Sequence, residues 1–133
     1  MILFVCTGNT CRSPMAMALA RARGVEAESA GIMVYSGSPA SREAILAVQA
    51  LGGDLRGHFA RPVSEDLMAR ASRVWAMTRG HQNALLQRYP QWAEKICVFS
   101  PEIDDPFGGD GEAYLRCARQ LLSSMEKCGI LAG

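Results

Sequence analysis

Apolar residues run unbroken from Ile2 to Val5, and their β-branched and aromatic members predict a strand buried on both faces. The next stretch, Thr7-Gly8-Asn9-Thr10-Cys11-Arg12, is small and polar, and Ser13-Pro14 then offers an N-cap followed by a proline suited to the first helical position. A helix is expected from Pro14 to about Arg23, stopped by Gly24. Val25 to Ala30 fits a second strand, and Gly31 to Pro39, with its glycines, serines and Tyr35, reads as a loop. Helical character over Ser41–Leu51 ends at Gly52-Gly53, and Ser64 opens another helix with Glu65 and Asp66 in its first turn. A strand from about Arg73 to Met77, a short helix reaching Tyr89-Pro90 and a strand over Lys95–Phe99 follow. Asp110 caps a final helix that carries Tyr114, Ala118, Leu121, Leu122 and Met125 on one face.

The order β-α-β-α-α-β-α-β-α with short links predicts one α/β domain over residues 1–133, a three-layer sandwich around a parallel sheet. Ligands in such folds bind beyond the carboxyl ends of the strands, where residues 6–13 fall. A length of 133 residues suits one core, and 49% apolar with 20% charged residues excludes the composition of a disordered chain. The net charge of +1 lacks the broad positive footprint of a nucleic-acid binder, so no nucleic-acid partner is expected. Charge is unevenly spread: the first 25 residues hold Arg12, Arg21 and Arg23 and no acid, whereas residues 102–112 hold five acids and no base. No apolar run is long enough to span a bilayer, which leads to an expectation of a cytoplasmic protein with no membrane partner. The five cysteines, Cys6, Cys11, Cys97, Cys117 and Cys128, are odd in number and form no C-x-x-C pair, which fits neither a disulfide framework nor a zinc ribbon.

The chemistry concentrates on the first loop. A glycine-containing turn between a buried strand and a helix N-terminus aims successive backbone N–H groups inward and makes a nest for an anion. The same donors, with a guanidinium at Arg12, stabilise a thiolate at Cys6, so a lowered pKa and nucleophilic character are expected there. The alternative is an inert thiol at a strand end. Arg12 can grip two phosphoryl oxygens with its planar fork. The pattern G-x-x-x-x-G-K-[ST] is absent, so a single phosphoryl group fits better than a nucleoside triphosphate.

The run Val5-Cys6-Thr7-Gly8-Asn9-Thr10-Cys11-Arg12-Ser13-Pro14-Met15 resembles the signature loop of low-molecular-weight protein tyrosine phosphatases, and Asp104-Asp105-Pro106-Phe107-Gly108-Gly109 resembles their late acid loop. The likeness continues through Glu28-Ser29-Ala30-Gly31, His58-Phe59-Ala60-Arg61 and Val74-Trp75-Ala76-Met77. It implies a four-stranded, flavodoxin-like parallel sheet of the phosphotyrosine protein phosphatase I type. It also implies hydrolysis of a phosphorylated protein through a phosphocysteine, with no cofactor and no metal.

By that resemblance Cys6 is the nucleophile, Arg12 the phosphate clamp, and Asp105 the acid that protonates the leaving group and then activates water. Thr7, Gly8, Asn9, Thr10, Cys11, Arg12 and Ser13 form the binding loop. Asp104 is the neighbouring rival of Asp105, read as a solvated acid. Ser13 supports the thiolate, and Asn9, Ser29 and His58 form a network that holds the loop's shape; from the residues alone, a partly exposed loop histidine is an equal alternative for His58. His81 has no such match and is expected on a helix surface. Cys11 matches a second loop cysteine able to form a reversible disulfide with Cys6, or else fills space. The remaining three cysteines are expected in the core or on the last helix.

Thr10 stands where tyrosine-specific members usually carry an aliphatic side chain, and here the loop resembles the bacterial protein-arginine phosphatase branch. A hydroxyl can bond a guanidinium, so phosphoarginine is favoured over phosphotyrosine. Tyr35 and Phe107 are candidates for the outer wall of the site, or plain apolar anchors of their loops. A thiol-coupled arsenate reductase would need redox cysteines on a mobile segment, and the region from Gly80 to Pro90 has none. A non-catalytic phosphoprotein-binding module would be favoured by loss of Cys6, Arg12 or Asp105, and all three are present.

Overall fold

The computed structural model describes residues 1–132. The elements are β1 (Ile2–Cys6), α1 (Arg12–Ala22), β2 (Ala27–Gly31), α2 (Arg42–Ala50), α3 (Glu65–Arg70), β3 (Arg73–Ala76), α4 (Arg79–Arg88), a 3₁₀ helix (Pro90–Lys95), β4 (Ile96–Val98) and α5 (Gly111–Lys127). The four strands are parallel, as the alternating pattern predicts, and lie in the order β2-β1-β3-β4.

Alternation along β1 divides the interior. Phe4 joins Met15, Leu19, Val48, Leu121 and Met125 on the face covered by α1, α2 and α5. Leu3 and Val5 point the other way, to Leu67, Met68 and Leu85 on α3 and α4. Burial of each such side chain contributes about 1.5–3 kcal/mol, so β1 is pinned from both faces and its last residue, Cys6, is held firmly. Phe99, just beyond β4, stacks on Trp75 at a centroid distance of 5.0 Å and anchors the start of the acidic loop to the sheet.

One helix boundary and one strand boundary depart from expectation, each for a local reason. Ser13 does not cap α1: the N-cap is Cys11, with no side-chain hydrogen bond, and the helix starts two residues earlier than expected, at Arg12. The Ser13 hydroxyl is drawn instead to Cys6, Asn9 and Ala30. At the other end Gly24 (φ 84°) and Val25 close the helix, their N–H groups bonding the carbonyls of Arg21 and Ala20. This six-residue capping motif uses Val25, so β2 starts at Ala27 rather than Val25. Ser41, Ser64 and Asp110 cap α2, α3 and α5 with their side chains. The buried face of α5 includes Cys117 and Ser124, while Leu122 is only partly buried. No helix among the described residues is long and apolar enough to cross a membrane.

Candidate active site

The site grows from the carboxyl end of β1. Thr7 to Cys11 turn over the top of the sheet, and α1 begins at Arg12 with its uncapped first-turn N–H groups available to an anion. The tightest point is Asn9, the one described non-glycine residue with positive φ (57°). Such backbone costs on the order of 1–3 kcal/mol and persists only where the surroundings hold it. Here they do. Asn9 Nδ2 donates to Ser13 Oγ at 2.8 Å and Ser29 Oγ at 2.9 Å, while Asn9 Oδ1 accepts from the Arg61 amide at 3.0 Å. The Asn9 carbonyl accepts from His58 Nε2 at 2.9 Å, which fixes the proton on that nitrogen. Burial pushes His58 below its ordinary pKa, so the ring is held neutral. Gly31 completes the support: a Cβ there would lie 2.5 Å from the Thr7 carbonyl oxygen, so only glycine lets β2 end this close to the loop.

Cys6 Sγ lies 2.9 Å from Ser13 Oγ. That hydroxyl has one proton and two acceptors, the sulfur and the Ala30 carbonyl at 3.3 Å. When Cys6 carries a proton, Ser13 can bond Ala30; when Cys6 ionises, the Ser13 proton can turn to the sulfur. Burial raises the thiol above its ordinary value. The Ser13 hydroxyl, the Ser13 amide, Arg12 and the Asn9 amide pull it down. The expected net lowering is thus reversed, because an almost fully enclosed sulfur loses more hydration than these donors return.

Arg12 is 5% exposed. Its Nη1 donates to the Ile103 carbonyl at 3.0 Å, and its Nη2 lies 3.6 Å from Asp105 Oδ2. Ile103 in turn bonds the Met77 carbonyl through its amide, at 2.9 Å, so the acidic loop is tied to the end of β3. Asp105 Oδ1 accepts from the Phe107 amide at 3.0 Å, which turns the carboxylate into the site. Residues 93 positions apart therefore meet, and Asp105 rather than Asp104 is the acid at the loop. A cavity of about 200 Å³ is lined by every residue from Cys6 to Arg12, with Asp105 and Phe107. Asp104 lines a separate hollow beside Cys117.

Cys11 Sγ is 3.4 Å from the Tyr114 hydroxyl and 3.6 Å from Ser41 Oγ. Burial raises the pKa of Tyr114 to about 12, so its hydroxyl stays protonated. Thr10 lines the cavity, and its carbonyl accepts from the Ser41 amide at 3.0 Å. Phe107 stands at the mouth with 78% exposure, but Tyr35 is 89% exposed and does not line the cavity. In this arrangement the expected outer-wall role is met by Phe107 and not by Tyr35. Cys97 is half-buried on β4, Cys117 is buried, and Cys128 is exposed at the end of α5.

His81 corrects the sequence reading most clearly. Instead of a surface position it is 9% exposed, with Nε2 2.8 Å from Thr7 Oγ1 and Nδ1 3.0 Å from Thr78 Oγ1. The spacing of Thr78 and His81, a cap and the third residue of its helix, was the available signal. Gly31 and Tyr114 were also passed over as site residues, since neither a close backbone approach nor a partner 103 positions away leaves a periodic trace.

The profile of the low molecular weight phosphotyrosine protein phosphatase family matches residues 1–128. The chain is similar to a protein-arginine-phosphatase of Geobacillus stearothermophilus, 39% identical over 134 residues, covering 93% of this chain and 89% of that one. Its fold matches a crystal structure of a low molecular weight protein tyrosine phosphatase from T. tengcongensis with a TM-score of 0.91 and 36% identity, over 96% of this chain and 95% of that one. A mutant arginine phosphatase with a phosphorylated active-site serine is also similar, with a TM-score of 0.89 and 30% identity, over 96% and 91% of the two chains. With the cavity lined by Cys6 to Arg12, the cysteine at the end of β1 and a match over residues 1–128, the chain belongs to the low molecular weight phosphotyrosine protein phosphatase family and is a cysteine-based protein phosphatase.

Proposed function

We propose that residues 1–133 form one phosphatase domain that hydrolyses phosphoarginine on proteins through a phosphocysteine at Cys6. The observation that carries this reading is the meeting of Cys6, Ser13, Arg12 and Asp105 around one cavity. The loop amides and the α1 N-terminus receive the phosphoryl oxygens, and Arg12 spans two of them. Cys6 Sγ attacks phosphorus in line as the P–N bond breaks, and Asp105 gives its proton to the departing guanidine nitrogen. Asp105, now a carboxylate, takes a proton from water as that water attacks the phosphocysteine; inorganic phosphate leaves and the thiolate returns, stabilised by Ser13.

Thr10 on the cavity wall favours phosphoarginine, since its hydroxyl can bond a guanidinium and its small size clears the plane of the group. The similar Geobacillus protein, a protein-arginine-phosphatase, supports the same choice. The exposed Phe107 ring at the mouth supports phosphotyrosine as the second reading, because it offers an apolar face to a phenyl ring. Asn9, Ser13, Ser29 and His58 hold the loop in shape. Five free thiols, two of them in the site, suit a reducing compartment, and this supports a cytoplasmic location for the enzyme. The test is kcat/KM on matched phosphoarginine and phosphotyrosine peptides, with reductant and a metal chelator. A ratio above one for phosphoarginine is expected, and a ratio below one moves the assignment to phosphotyrosine.

A further inference from the structure

The His81 ring is buried beside the phosphate loop, yet no step above uses it. Its two nitrogens are both engaged, Nδ1 with the cap residue Thr78 and Nε2 with Thr7. Thr7 itself is exposed and lines the cavity with Asp105 and Phe107.

Which way the hydrogen bonds run decides what Thr7 shows to a substrate. Burial, followed by the nearby Arg12 charge, holds His81 down to a pKa of about 4 against the opposite pull of Asp105 and Glu102. The ring is therefore neutral in the working range and has one N–H and one lone pair. The loop amides, the α1 N-terminus and Arg12 make the potential on the Thr7 side positive, which favours the lone pair at Nε2 and the N–H at Nδ1. Thr78 Oγ1 can take that proton as well as the His81 amide 3.3 Å away, since a hydroxyl has two lone pairs. Thr7 then gives its only proton to Nε2, and its oxygen turns two lone pairs toward the site.

We propose that Thr7 is a specificity-determining acceptor for a leaving group that carries N–H donors, and that His81 is the positioning residue that orients it. The proposal rests on the phosphoarginine reading and extends it. A guanidine nitrogen departing toward Asp105 brings N–H groups past Thr7, whereas a phenolic oxygen has none to offer. Thr10 and Thr7 would thus flank the group from two positions of the same loop.

The test is the ratio of kcat/KM for phosphoarginine over phosphotyrosine peptides in the wild type and in T7V, T7S, H81L and H81Q, with circular dichroism confirming each fold. T7V should lower the ratio about tenfold, and T7S, which keeps the hydroxyl, should stay within about threefold of the wild type. H81L should lower the ratio as T7V does, and H81Q, whose amide oxygen can replace the Nε2 lone pair, should restore most of it. Equal losses on both substrates in T7V would make the hydroxyl a general phosphate contact and overturn the proposal while leaving the phosphoarginine reading intact. A lowered ratio in T7V with an unchanged ratio in H81L would remove His81 from the account. A wild type inactive on phosphoarginine would remove both the reading and the proposal.

Discussion

Replacing Ser13 by Ala removes the one side chain that joins the sulfur to the loop's scaffold. Ser13 Oγ lies 2.9 Å from Cys6 Sγ, 2.8 Å from Asn9 Nδ2 and 3.3 Å from the Ala30 carbonyl, all buried. Loss of a hydrogen bond to a charged group costs about 1.5–3 kcal/mol, so at a pH below the thiol's pKa the thiolate fraction should drop roughly ten- to two-hundredfold. A more basic thiolate is intrinsically more nucleophilic, with a slope of about 0.4–0.5, which returns nearly half of that logarithm. The alkylation rate of Cys6 should therefore fall about four- to fifteenfold, and the pH at which it levels off should move upward. The assay is iodoacetamide labelling across pH, read by mass spectrometry at the Cys6 peptide. Ser29→Ala is the control: it removes the other acceptor of Asn9 Nδ2 without touching the sulfur, so it should lower Tm yet slow alkylation much less. A Ser13→Ala rate within twofold of the wild type, with the fold intact, would refute the role given to this hydroxyl.

Asp105→Ala should slow turnover strongly on phosphate esters with basic leaving groups and far less on activated aryl phosphates, whereas Asp104→Ala should do little on either; steady-state rates over a leaving-group series decide between them. Thr10→Ile should shift the phosphoarginine to phosphotyrosine kcat/KM ratio toward phosphotyrosine by about ten- to a hundredfold, and an unchanged ratio would remove Thr10 from specificity. Peroxide should convert the Cys6 thiolate to a sulfenic acid that the Cys11 thiol attacks, expelling water and forming a disulfide. For that, Cys11 must leave the Tyr114 and Ser41 hydroxyls, so Tyr114→Phe should speed the closure severalfold, as read by non-reducing peptide mapping.

The alternation of apolar runs with helical stretches was sufficient to place all four strands in a parallel sheet, because each strand is short, buried and bounded by glycine, proline or a capping side chain. Local competition hid the rest. Ser13 has the composition of a cap but is recruited by a buried thiol, and Val25 has the propensity of a strand but closes a helix. The 3₁₀ helix at Pro90–Lys95 has too few residues to show a period. Cys6, Arg12 and Asp105 were legible from motif order, and the structure adds the reason they meet: Ile103 ties the acidic loop to both Arg12 and β3. The Thr7–His81 and Cys11–Tyr114 pairs were not legible, since each joins side chains 74 or 103 positions apart that no local pattern connects.

The central claim is that the phosphoryl group passes through Cys6. Rapid acid-free quenching of wild-type turnover on a phosphoarginine peptide, followed by peptide mass spectrometry, tests it directly, with Asp105→Ala on an activated aryl phosphate, whose leaving group needs no proton, used to slow hydrolysis of the intermediate without blocking its formation. A phosphoryl group on the Cys6 peptide that forms and decays at rates consistent with turnover, and that is absent from Cys6→Ala, is the predicted result. Turnover retained by Cys6→Ala, or label found on another residue at kinetically competent rates, would contradict the account.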